Sequence, residues 1–220
     1  MHYGPKISST TNLVLSLDAA NPYSYPGSGT TWTDLSGNGN NGTLTNSASF
    51  NAANGAIAYT GASDSVTLNL VSSNVNNVTT EVWFKAITLA GDRGLFLNGN
   101  GANSGYGLQF GPCGTAGNIL AVFFGGLYCS VVSYTGLVTN TWYQSVYTRT
   151  TSPSIVNTLY INGVSVSTNT SYSPNAPTSS TLVGHSSYNG YISLVRHYSR
   201  TLSAAEVLQN YNSTKSRFGL

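Results

Sequence analysis

From Leu13 to Tyr198 apolar residues recur at alternate positions in short runs, and most runs end in a cluster of Gly, Asn, Pro or Ser. A period of two marks a strand with one buried face, and such clusters mark turns. Leu13-Val-Leu-Ser-Leu17 opens the series, with Leu13, Leu15 and Leu17 on one face. Val66 to Leu70, Glu81 to Leu89, Gly94 to Leu97, Tyr106 to Phe110, Ile119 to Phe124 and Leu127 to Ser133 continue it. In the longest of these, Val82, Phe84 and Ala86 share a face. Trp142 to Thr148, Leu159 to Val166, Leu182 to Gly184 and Tyr191 to Tyr198 complete it. Gly125-Gly126 and Asn162-Gly163 are hairpin turns, the second of type I′. Short strands with no helices between them can bury their faces only against one another. The expected product is all-β, an antiparallel sandwich of two sheets with the first and last strands as neighbours.

The chain then changes period. Ile192, Leu194 and Arg196 alternate with Tyr191, Ser193, Val195 and His197 as a strand with two faces. Ser203 followed by Glu206 makes a capping box, with Leu202 and Val207 placed as a hydrophobic staple. Val207, Leu208 and Tyr211 share one helical face. One short C-terminal helix is therefore expected after the last strand.

A chain of 220 residues fits one large β domain. We place that domain at residues 13–212, with an arm at 1–12, a tail at 213–220, and the two flanks as docking arms. Charged residues make up 6% of the chain, against an ordinary fraction of about 25%. A net charge of +2 on so few ions cannot form a phosphate-tracking stripe, so nucleic acid is not an expected partner. No stretch reaches the roughly 20 apolar residues of a membrane span. The opening Met1 to Lys6 carries no apolar signal segment. A disulfide between Cys113 and Cys129 is geometrically conceivable, but without an export signal the reading is two free, partly buried thiols.

The acids are Asp18, Asp34, Asp64, Asp92, Glu81 and Glu206. Glycoside hydrolysis needs two placed carboxylates. Glu81 stands alone on its strand and Glu206 serves the helix cap. No nucleophile elbow, zincin motif or phosphate loop is present, so no catalytic residue is assigned and the chain is not expected to be an enzyme. His197 reads as an ordinary sheet residue. Aromatic side chains stack on sugar rings: Tyr23, Tyr25 and Trp32 fall in one loop region, with Tyr188 and His185 in another, and these five are the candidate ligand-binding residues. Trp32 fits equally as a core plug or an exposed platform, whereas Trp83 and Trp142 read as core. Asp34 with Asn38 and Asn40 offers hard oxygen ligands for a structural calcium. The plainer reading is a turn whose side chains bond their own backbone.

Three stretches together carry a resemblance. They are Leu13 to Leu44 with its Trp32-Thr-Asp-Leu-Ser-Gly37 phrase, Trp142-Tyr-Gln144 with Leu159-Tyr-Ile-Asn-Gly163, and Gly190 to Asn212. The chain resembles the laminin-G-like, concanavalin A-like jelly-roll domains, and within them the versions found in virion proteins of tailed bacteriophages, which end in phrases like Thr214 to Leu220. The resemblance implies a jelly roll with a short helix after the last strand, and binding or architecture rather than catalysis. Asp34 matches the family's Asp-x-Ser-Gly motif; Ser193 stands where many relatives carry an acid. It further implies a non-enzymatic virion structural protein, a capsid decoration or a head or tail appendage, made in host cytoplasm. Its partners would be other virion proteins such as the major capsid protein, and homo-oligomers fit that setting. The alternative is a carbohydrate-binding module or adhesin recognising host surface glycans.

Overall fold

A computed structural model describes residues 10–70, 74–100, 102–111 and 118–220. The strands begin with Leu13–Asp18 (β1), Thr31–Trp32 (β2), Gly42–Thr45 (β3), Ser49–Asn51 (β4), Ala56–Thr60 (β5) and Ser65–Leu68 (β6). Val78–Ala86 (β7), Arg93–Asn98 (β8), Tyr106–Phe110 (β9), Leu120–Phe124 (β10) and Tyr128–Tyr134 (β11) follow. Trp142–Thr150 (β12), Val156–Ile161 (β13), Val164–Asn169 (β14), Thr181–His185 (β15) and Asn189–Tyr198 (β16) complete the strands. The helix α1 spans Ala204–Thr214 and runs into a 3-10 turn at Lys215–Phe218.

Two antiparallel sheets form, so the all-β sandwich with one C-terminal helix is the fold observed. One is ordered β14-β13-β12-β7-β16-β5-β4, with β1 also pairing β16. The other is ordered β11-β10-β9-β8-β15-β6-β3-β2. First and last strands are indeed neighbours, Leu17 pairing Val195. Val82, Phe84 and Ala86 enter the core between the sheets, where Phe84 meets Phe110 edge-on at 5.7 Å. At the β13–β14 turn Asn162 and Gly163 take φ of 51° and 78°, the left-handed pair a type I′ turn requires.

The last strand departs from simple alternation. Its register against β7 shifts between Ile192 and Leu194. A bulge there turns the chain by one residue, so Ile192 and Val195 both enter the core. Leu194, Arg196 and Tyr198 pair with Trp83, Glu81 and Thr79 of β7, away from the core. Ser193, the bulged residue, donates its hydroxyl to the Gly55 carbonyl at 2.6 Å.

That outward face carries Glu81, whose side chain is fully buried. Its Oε1 accepts from Trp83 Nε1 at 3.0 Å, Gln144 Nε2 at 2.9 Å and Arg196 Nη1 at 3.1 Å. Its Oε2 accepts from Asn210 Nδ2 of α1 at 3.1 Å. The helix covers the carboxylate, and its capping box is present as expected: Ser203 and Glu206 each bond the other's backbone. Arg200 grips Glu206 at 3.1 and 2.6 Å and is the main cause that holds its carboxyl down to about 2. Val207 and Leu202 join a small apolar cluster on this face. The helical stripe differs from expectation at two places: Asn210 is buried and Leu208 is 44% exposed. The buried amide is tolerated because Glu81 and Tyr198 take its hydrogens.

The residues after Asn212 do not hang free. Phe218 stacks on Trp83 with centroids 4.5 Å apart and lies 4.6 Å from Trp142. Arg217 pairs with Asp18 at 2.8 Å. At the other end, Arg200 Nε donates to Thr11 O at 3.1 Å and Ser199 N to Asn12 O at 2.9 Å. Residues 1–9 of the expected arm lie outside the described residues. Cys129 is exposed and disulfide-bonded. The expectation of free, partly buried thiols is therefore corrected at Cys129, which sits on the edge strand β11 where a second thiol can reach it; Cys113 lies outside the described residues.

His197 is buried in the core, bonded to Thr80 at 3.0 Å and stacked on Phe96. Burial lowers the pKa of both His197 and His185 to about 4. An unfolded histidine titrates near 6.5. The unfolded chain therefore takes up protons first as pH falls, and the stability held by the neutral rings is complete above about pH 6.5 and lost between 6.5 and 4. Thermal melts should show a falling Tm across that window, and His197→Gln should flatten the fall. A Tm unchanged between pH 7 and 4.5 would contradict this account.

Candidate functional site

The outer face of the second sheet is floored by two glycines. Tyr106, Leu108 and Phe110 of β9 point into the core, so Gly107 and Gln109 face outward. Gly107 pairs with Leu97 on one side and Phe123 on the other. Gln109 pairs with Gly94, which in turn pairs with His185. A Cβ on Gly94 would stand 1.9 Å from His185 Nε2, and one on Gly107 would stand 2.3 Å from the Phe123 ring. The two rings thus occupy space that any other residue's side chain would fill. Above them opens a cleft of about 310 Å³ lined by Asp92, Leu97, Asn100, Ala102, Gln109, Phe123, His185 and Ser186. That volume lies at the small end of ligand sites.

Its polar groups are held in place. Gln109 Nε2 donates to Asp92 Oδ1, and partial burial raises the Asp92 pKa. Asn100 Oδ1 accepts from the backbone N–H groups of Ala102, Asn103 and Ser104 at 2.9–3.1 Å, which leaves its amide N–H groups as donors. His185 shares a proton with Ser186 Oγ through Nδ1 at 2.9 Å. Its Nε2 is buried over Gly94 without a hydrogen-bond partner. Burial is the larger cause that lowers its pKa, and the Phe96 backbone opposes the shift without giving Nε2 a well-formed bond. A ring sealed in this way on one nitrogen and bonded on the other is floor, not a general base.

The rim is strained. Tyr188 N donates to His185 O at 3.1 Å, closing a turn. Its two central residues, Ser186 and Ser187, take φ of 50° and 62°. A type I′ turn of two serines is costly where Asn-Gly would be easy. Arg93 Nη1 braces it by donating to Ser187 O at 2.5 Å. The strain is localised at the cleft and keeps Ser186 on its edge.

Of the five residues expected from sequence to bind ligand, the structure brings only His185 to this cleft. Trp32 and Tyr188 are fully buried and Tyr25 is 4% exposed. Tyr25 packs on Phe50 and donates its hydroxyl to Gly29 O, while Tyr188 lies edge-on to Tyr59. All three join the core, Trp32 from the short strand β2 and Tyr25 and Tyr188 from loops, which corrects the platform reading of Tyr25 and Tyr188 and leaves the core-plug reading for Trp32. Tyr23 is exposed at 87% and stands outside the cleft. The calcium reading of Asp34 and Asn38 is also corrected. Asp34 Oδ1 accepts from Ser16 N and Ser36 N, and Oδ2 from Ser36 Oγ and Asn40 N, at 2.7–3.0 Å. Asn38 aims its N–H groups at Leu13 O and Ser36 Oγ. Donor hydrogens occupy the positions a cation would need. The loop instead staples β1, and among the described residues no group of three or more His, Cys, Asp or Glu gathers for a metal.

Sequence reasoning missed Asp92, Gln109 and Phe123. The signal was present in Tyr106-Gly-Leu-Gln-Phe110. A glycine and an amide on the polar face of an otherwise apolar strand mark a place where something lies flat on the sheet.

A family model described as the Concanavalin A-like lectin/glucanases superfamily matches residues 60–208. No curated protein matches the chain. Solved structures share the fold at low identity. Domain 4 of AbnA, a GH43 extracellular arabinanase from Geobacillus stearothermophilus, in complex with arabinotriose, is 18% identical with a TM-score of 0.68, covering 91% of this chain and 98% of that domain. The botulinum neurotoxin serotype D binding domain is 16% identical with a TM-score of 0.71, over 93% of this chain and 52% of that one. Trypanosoma rangeli sialidase in complex with sialic acid is 14% identical with a TM-score of 0.70, over 95% of this chain. The chain spans 34% of the sialidase.

The floor can be tested by a double-mutant cycle. Gly94→Ala forces the His185 ring aside and should cost about 2 kcal/mol in urea melts. In a His185→Ala background the same change should cost only a few tenths of that. Equal costs in both backgrounds would show that the ring does not depend on the glycine.

Proposed function

Because the chain belongs to the concanavalin A-like lectin/glucanases superfamily, we propose that it is a non-enzymatic, lectin-like module that binds glycans in the cleft over Gly94 and Gly107. The observation that carries this reading is that the edge of a largely buried aromatic ring, Phe123 at 7% exposure, lines one small concavity together with the hydrogen-bonding groups of Asp92, Gln109 and Asn100. A sugar ring presents an apolar C–H face and a rim of hydroxyls, and such a surface meets both. The AbnA domain is seen in complex with arabinotriose, which adds weight without fixing the sugar. Against catalysis stands the placement of the acids. Glu81 is sealed under α1 and Glu206 is held by Arg200 and the helix cap. Among the described residues no second carboxylate lines the cleft beside Asp92, as hydrolysis of a glycoside requires.

The wider setting we propose is display on a bacteriophage particle, as a capsid decoration protein or a head or tail appendage with virion proteins as neighbours. Supporting it are the closing phrase Thr214 to Leu220 and a surface poor in ions, which suits packing beside copies and other proteins. No helix among the described residues is long and apolar enough to cross a membrane.

On a glycan array the full chain should bind, and Phe123→Ala should weaken binding about tenfold or more. Loss of binding in Tyr23→Ala with Phe123→Ala unaffected would move the site to the loop. Peptide mass spectrometry on purified particles should find the chain at a fixed stoichiometry to the shell protein. Its absence from particles would sink the virion setting and leave a free lectin.

A further inference from the structure

The charge pattern of the cleft narrows the ligand, on the premise that the cleft is a glycan site. We infer that it selects uncharged, hydroxyl-rich sugars and turns away those bearing carboxylate, sulfate or phosphate groups. Among the described lining residues Asp92 is the only ionic side chain, and it is exposed. Gln109 occupies Oδ1, which turns Oδ2 into an acceptor for an incoming hydroxyl. Opposite it, Asn100 offers N–H donors because its oxygen is already spent on three backbone groups. Ser186 supplies a hydroxyl at the strained edge. An acceptor, a donor and a hydroxyl around an aromatic ring form a complete set for neutral sugar hydroxyls.

Among the described residues no cationic side chain lines the cleft, and the nearest in sequence is aimed away from it. Arg93, next in sequence to Asp92, donates its Nε to Ala90 O at 2.6 Å and its Nη1 to Ser187 O at 2.5 Å. His185 sits in the floor with Nε2 pressed onto Gly94, and burial keeps it neutral down to about pH 4. An anion in the cleft would face the Asp92 carboxylate with no cationic side chain among the described lining residues to pair with it. Like charges within about 5 Å across a partly wet site weaken binding on the order of tenfold or more.

The test uses matched sugars on the full chain by isothermal titration: lactose against sialyllactose, oligogalactosides against oligogalacturonides, and a neutral against a sulfated galactan fragment. The neutral member of each pair should bind tenfold or more tightly, and Asp92→Asn should narrow that ratio to about threefold or less. An acidic member that binds as well as its neutral partner, with that binding lost in Phe123→Ala, overturns this inference alone. Binding of no sugar in any pair overturns the glycan reading and the inference together.

Discussion

The outer face of the first sheet is built around one buried carboxylate. A buried carboxylate needs hydrogen-bond partners, and Glu81 takes them from its own strand, from β12, from β16 and from α1. Each partner is thereby fixed in position: Trp83 by its indole N–H, Arg196 by charge, Asn210 by its amide. Removing one member of such a group generally costs about 3–5 kcal/mol, because the others stay buried and unpaired. A purely apolar seam could hold the helix as firmly. The polar one holds it in one register, since Asn210 reaches Glu81 from a single placement of α1.

This arrangement explains what the sequence made legible and what it did not. Alternation on β1 and β7 was plain because each has one apolar face, and Asn162-Gly163 was plain because few other pairs tolerate two left-handed residues. Ser203 and Glu206 announced the helix start. The bulge at Ser193 was hidden: strict alternation of Ile192 and Leu194 is the natural reading, and only the pairing with β7 shows that Leu194 has turned outward. Asn210 was hidden for a similar reason, since an amide in a helix reads as exposed until a buried carboxylate asks for it.

The candidate site was the least legible part, and the cause is physical. Aromatics in polar stretches look like platforms, yet Trp32, Tyr25 and Tyr188 turn inward and become part of the core. The cleft instead depends on what two strands lack. Gly94 and Gly107 leave room above the sheet, and the rings that fill it come from other strands, His185 from β15 far along the chain and Phe123 from the next strand β10. Such a site is written in the cross-strand register rather than in any local motif.

The two faces of the sandwich also differ in what is fastened to them. Thr11 and Asn12 are held beside β16, and Phe218 lies on Trp83 and Trp142, so both ends of the described chain lie with the first sheet. The cleft opens from the second. A partner held at Thr11 or at Phe218 would therefore sit across the sandwich from the cleft and leave the cleft side uncovered.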